Sequence, residues 1–204
     1  MDPANLSQNF LIYIIIIFSA TIHEFFHGWV AYYLGDSTAK DEGRLTINPL
    51  KHIDPIGTVI LPIFLLMTSG MFIGWAKPVP YNPNNLSDRK YGSLKVAVAG
   101  PVSNLLIALI IGLILRFSLP LGFGYNFLST LSLIVVINIS LALFNLIPLP
   151  PLDGSKILFD LFPQTRNFLE GQIGFLGIIL IIFYGAQILS PISRFLFSLI
   201  VGAN

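Results

Sequence analysis

The sequence predicts an all-α polytopic membrane protein of about four to six membrane segments, with a small extended or β re-entrant element near its candidate active site. Three observations predict it. Of 204 residues, 54% are hydrophobic and only 10% charged, with a mean hydropathy of +0.80, far more apolar than a soluble domain. The apolar residues gather in long runs separated by polar, turn-rich stretches. Ionisable residues nevertheless stand inside the first run, as His23-Glu24-Phe25-Phe26-His27, and ionisable groups in hydrocarbon mark functional sites.

The first run, residues 10–34, is long enough to cross a bilayer and ends at the helix stop Gly35-Asp36. The ten residues that open the chain hold Asp2 but no Lys or Arg, so they lack the positive region of a secretory signal, and the run reads as a retained span. Residues 36–54 read as a solvated loop of mixed charge. The next apolar run, 56–67, is short and carries Pro62, which favours a re-entrant or interfacial segment over a crossing. Residues 71–80 follow, aromatic and β-branched before giving way to Pro78 and Pro80, and read as an extended edge. Residues 71–76 of that edge could hold an unwound substrate by backbone pairing, which makes Ile73 a test position.

Trp75, Lys77, Trp29, Tyr32 and Tyr33 suit a membrane interface. Further spans are expected at 96–117 and 127–147, with Asn104 and Asn138 as hydrogen-bonding glue between helices. The run 148–154, Pro-Leu-Pro-Pro-Leu-Asp-Gly, cannot continue a regular helix. Residues 173–203 form one long span kinked at Pro191, or a span followed by a surface helix. No hydrophilic stretch is long enough for a separate module, so residues 1–204 read as a single membrane-embedded domain. A net charge of +1 without a basic block excludes a nucleic-acid partner, and the absence of Cys excludes disulfides and thiolate metal sites.

Histidines four apart on a helix project from one face, so His23 and His27 can close on one tetrahedral Zn²⁺ with Glu24 beside them as proton acceptor. Both imidazoles must be neutral to ligate, so acid should strip the metal. A catalytic zinc keeps three protein ligands and one open position. The candidates for the third are His52, Asp54, Asp153, Asp160 and Glu170, of which Asp153 stands out because the prolines before it break the helix. If the short run at 56–67 re-enters, only two crossings separate His27 from Asp153, and both return to the same side. The positive-inside rule agrees, because Lys40, Arg44, Lys51, Lys77, Arg89, Lys90, Lys95, Lys156 and Arg166 then share the cytoplasmic side.

These motifs resemble the site-2 protease family of intramembrane zinc metalloproteases: His23-Glu24-x-x-His27-Gly28, then Gly100-Pro101-x-x-Asn104, then Asn145-x-x-Pro148-x-x-Pro151-x-Asp153-Gly154. The resemblance implies a multi-pass cell-membrane enzyme in which His23, His27 and Asp153 hold Zn²⁺ and Glu24 is the catalytic acid/base. It implies that Asn145 stabilises the oxyanion, and that the substrate is a transmembrane-segment peptide met among membrane lipid and cut in regulated intramembrane proteolysis. PDZ and CBS modules carried by many relatives have no counterpart here, and the insertion at 52–70 departs from the smallest members. Two other classes compete. A metal-ion transporter would want ligands at several depths or an inverted repeat, and a silent scaffold for client helices would not need Glu24 beside a full ligand set. Client and oligomeric state are not legible.

Overall fold

The computed structural model describes residues 3–69, 74–170 and 172–202. Helices dominate, and no strand occurs among the described residues. Three helices there are long and apolar enough to cross a membrane: Ser7–Tyr33, Gly92–Leu121 and Tyr125–Asn145. The chain forms two compact units, Met1–Arg89 and Lys90–Asn204.

The first unit is built on α1, Pro3–Tyr33. Pro3 opens the helix, where its missing N–H costs nothing and its fixed φ is already helical, so the helix starts well before the apolar run. Ile15, Ser19, His23, His27 and Ala31 are all buried. Their constant spacing of four makes them one stripe along the helix, while Phe10, Phe18, Trp29 and Tyr33 are exposed. The helix stops as expected: Gly35 takes a φ of +102°, and the Asp36 N–H returns to the Ala31 carbonyl at 2.9 Å.

The loop that follows is more folded than its mixed charges predicted. It carries the single turn α2, Thr38–Asp41, and buries Asp36, Arg44 and His52. Asp54 caps a π-helical turn, Pro55–Ile60, by accepting from the N–H groups of Ile56 and Gly57. The turn leads directly into α3, Leu61–Ser69.

Of the stretch expected to be extended, residues 71–73, with the test position Ile73, lie outside the described residues. The part from Gly74 to Asn82 has no regular structure, yet alternate residues donate inward, Trp75 N–H to the Gly57 carbonyl at 3.0 Å and Lys77 N–H to that of His52 at 2.9 Å. That alternation is the backbone habit of an extended chain.

The second unit packs α4, Gly92–Ser118, against α5, Tyr125–Asn145, and α8, Gln172–Val201. Gly100, Asn104, Ala108 and Gly112 are all buried and four apart on α4, a run of small or polar residues of the kind that lets membrane helices approach. A Cβ at Gly112 would stand 2.4 Å from an Ile200 methyl. Ala108, Val135 and Ile139 form the core, joined by Leu196, Phe197 and Ile200. Asn104 Nδ2 donates to Asn138 Oδ1 at 2.9 Å, both residues fully buried, the interhelical glue expected of them. Two short helices, α6 at Asp153–Leu161 and α7 at Arg166–Leu169, connect α5 to α8. The last stretch forms one helix, with α8 continuing through Pro191.

Candidate active site

His23 and His27 stand on successive turns of α1, both buried, and their Nε2 atoms approach to 2.9 Å. The rings meet edge to face with centroids 4.6 Å apart. Two nitrogen ligands at roughly 2.0–2.1 Å from a tetrahedral zinc stand about 3.3 Å from each other, so these imidazoles converge slightly closer than a shared ion would set them. Their donor type fits as well, because neutral imidazole nitrogens suit zinc. The helix that carries both imidazoles is itself long and apolar enough to cross a membrane.

Glu24 lies half-buried beside them. Its Oε2 accepts from the Val79 backbone N–H at 2.7 Å, a contact bridging 55 residues of sequence. Val79 is buried, and a Cβ added at Gly28 would come within 2.9 Å of its Cγ1. Glycine directly after His27 is therefore what lets the Val79 side chain lie close against α1.

In the second unit α5 ends at Asn145, whose Nδ2 donates to the Leu141 carbonyl at 3.0 Å. The proline-rich run then breaks the helix, as expected, and α6 begins at Asp153. Asp153 is 5% exposed and sits in the first turn of α6, where free N–H groups favour a carboxylate. Lys156 Nζ stands 3.1 Å from its Oδ1. Gly154 is required sterically, because a Cβ there would lie 2.4 Å from the carbonyl oxygens of Leu146 and Ile147.

The other candidates for a third ligand have different occupations. Asp54 caps the π-helical turn. Asp160 Oδ2 accepts from the Leu94 N–H at 2.6 Å in the first turn of α4. His52 Nε2 contacts the Thr46 carbonyl at 2.8 Å, and Glu170 forms an exposed pair with Arg166 at 2.9 Å.

The sequence reading missed two buried charges. Asp36 is fully buried and accepts from Thr38 N–H and Oγ1, Asn82 N–H and Asn85 Nδ2, at 3.3, 2.6, 2.8 and 2.9 Å. Burial alone would raise its carboxyl pKa, but these hydrogen bonds together hold it below the usual carboxylate value. Arg44 Nη2 donates to the Lys77 carbonyl at 2.8 Å. The one sequence signal for either is the polar cluster of Asn82, Asn84 and Asn85, whose partner the sequence does not reveal.

Comparison with known proteins agrees with this chemistry. Residues 121–184 match peptidase family M50. YwhC of Bacillus subtilis, named as a zinc metalloprotease, is 42% identical over 158 residues, which are 74% of this chain and 68% of YwhC. Rip2 of Mycolicibacterium smegmatis, named likewise, is 30% identical over 188 residues, 90% of this chain and 69% of its own. A zinc metalloprotease of Methanocaldococcus jannaschii matches at 35% over 81 residues, 40% of this chain and 23% of that protein. No solved structure matches the chain. Likeness over most of both chains, together with a His-Glu-x-x-His helix whose imidazoles converge, means that this chain belongs to peptidase family M50, the site-2 protease family, and is a zinc metalloprotease.

Proposed function

We propose that the enzyme hydrolyses a peptide bond within or next to a transmembrane segment of a membrane-protein substrate, as a multi-pass protein of the cell membrane acting in regulated intramembrane proteolysis. The observation that carries this reading is the place of the paired imidazoles: they are buried in the second half of Ser7–Tyr33, a helix apolar enough to lie in lipid. A hydrolytic centre there meets chains that are themselves in the membrane.

His23, His27 and Asp153 are the proposed zinc ligands. Asp153 is supported by its burial, by the helix break before it, and by the structural occupations of the rival residues. Its contact with Lys156 leaves room for a metal, since a carboxylate has two oxygens and about four lone pairs. When bound, zinc supplies Lewis acidity and lowers the pKa of a water molecule. Glu24 accepts the water proton and returns it to the leaving amine. Asn145 is the proposed oxyanion donor: one hydrogen of its amide serves the Leu141 carbonyl, and Nδ2 carries a second. Among the described residues the apolar helix Pro55–Leu65 is shorter than a span, which supports a re-entrant segment; in the proposed topology the lysine-rich loops lie on the cytoplasmic side.

The test compares wild type with Glu24→Gln in liposomes, measuring zinc per chain and cleavage of a reporter with one transmembrane helix. Zinc retained with cleavage lost is expected. Undiminished cleavage by Glu24→Gln would remove Glu24 from the mechanism, and zinc flux without proteolysis would make the protein a transporter instead.

A further inference from the structure

We propose that Arg44 is a positioning residue for Glu24, acting through residues 77–79, which it holds in the register that brings the Val79 N–H onto the Glu24 carboxylate. The inference rests on the reading of Glu24 as general base, but its observations are independent of the metal. Lys77 is gripped through both of its backbone polar groups. Its carbonyl accepts from Arg44 Nη2 at 2.8 Å, and its N–H donates to the His52 carbonyl at 2.9 Å.

Two residues further on, on the same side of an extended chain, the Val79 N–H meets Glu24 Oε2 at 2.7 Å. Pro78 and Pro80 flank it; each fixes its own φ and lacks an N–H. The stretch is therefore stiff, and Val79 carries its only amide proton between Lys77 and Tyr81. Stiffness matters because a displacement at Lys77 is passed on to Val79 rather than absorbed. Gly28 supplies the clearance for the approach. A carboxylate pinned through one oxygen presents the other in a defined direction, which is what proton transfer from a water molecule requires.

Arg44 itself is only 8% exposed, and its Nε has no hydrogen-bond partner among the described residues. Among the described residues the side-chain hydrogen bond of this buried cation goes to the Lys77 carbonyl, so the guanidinium acts on the stretch that carries Val79.

The experiment uses the full-length, zinc-loaded protein in detergent micelles. Amide hydrogen exchange is read on a proteolytic fragment covering residues 77–80, in which Val79 alone reports. In Arg44→Ala, exchange at Val79 should accelerate about tenfold or more as the local opening becomes easier. For the single-helix reporter, kcat should fall about 10- to 100-fold, with KM within about twofold of wild type and zinc per chain unchanged. Arg44→Lys keeps a donor for the Lys77 carbonyl and should recover most of the lost kcat.

Should Arg44→Ala fail to fold, the pair Val79→Pro and Val79→Ala decides. Both remove the valine methyls, but only the proline removes the N–H, so the proline variant should have the lower kcat. Wild-type exchange at Val79 in Arg44→Ala, a loss of activity carried by KM or by zinc, or equal kcat for the two Val79 variants overturns the proposal. If Glu24→Gln cleaves like wild type, the general-base reading fails. If Glu24→Gln is dead while Arg44→Ala and Val79→Pro match wild type, only the positioning role fails.

Discussion

A single methyl group tests how tightly the second unit is built around Asp153. Gly154 has no room for a Cβ, because the nearest atoms are backbone carbonyls rather than movable side chains, so the start of α6 must shift if one is added. Gly154→Ala should destabilise the protein by about 1–3 kcal/mol, the usual range for overpacking, as read by thermal unfolding. It should also lower zinc occupancy if Asp153 is a ligand. His23→Ala or His27→Ala should abolish stoichiometric zinc binding, measured by elemental analysis, with far-UV circular dichroism unchanged, because α1 does not depend on imidazoles for its helicity. At this scale the sequence was most legible: a spacing of four in a helix is local geometry, and the convergence of the two Nε2 atoms follows from it.

Between elements the chain uses buried polar pairs in place of apolar driving force, which is weak among helices in lipid. The Asn104–Asn138 contact joins α4 to α5 in a region that buries both side chains. A double-mutant cycle with Asn104→Ala and Asn138→Ala should give a coupling of about 0.6–1.7 kcal/mol, and a coupling near zero would mean that the pair is incidental. Asp36 does comparable work at the end of α1, tying Thr38, Asn82 and Asn85 together. Its carboxyl pKa is depressed in the folded protein. Its contribution is therefore fully present above the unfolded carboxylate value near 3.9 and is lost as pH falls through the lower folded value. Asp36→Asn should remove that acid-limb dependence from the unfolding midpoint, measured between about pH 5 and pH 2. The short helices α2, α6 and α7 went unread in the sequence because one or two turns carry too little periodicity to separate from a loop.

For the whole molecule, chelation should abolish proteolysis, and stoichiometric zinc should restore it, because the three proposed ligands become functional only together. The chain has no cysteine, so single cysteines can report membrane sidedness without background. Under the proposed topology, Ser37→Cys and Asn84→Cys should react with an impermeant maleimide only from the cytoplasmic side, and Phe123→Cys only from the opposite side. Labelling of Asn84→Cys from the outside would mean that residues 55–69 cross rather than re-enter. The amino-acid sequence alone determined the helical, membrane-borne class and the zinc chemistry, because hydropathy over a span and ligand spacing within a turn are both local properties. Tertiary structure alone decided which polar groups are buried and what each one serves: Asp160 as a cap for α4 across 66 residues, and the Val79 amide on Glu24 across 55. Contacts over such separations depend on how the chain is brought back on itself, and no periodicity along the sequence encodes them.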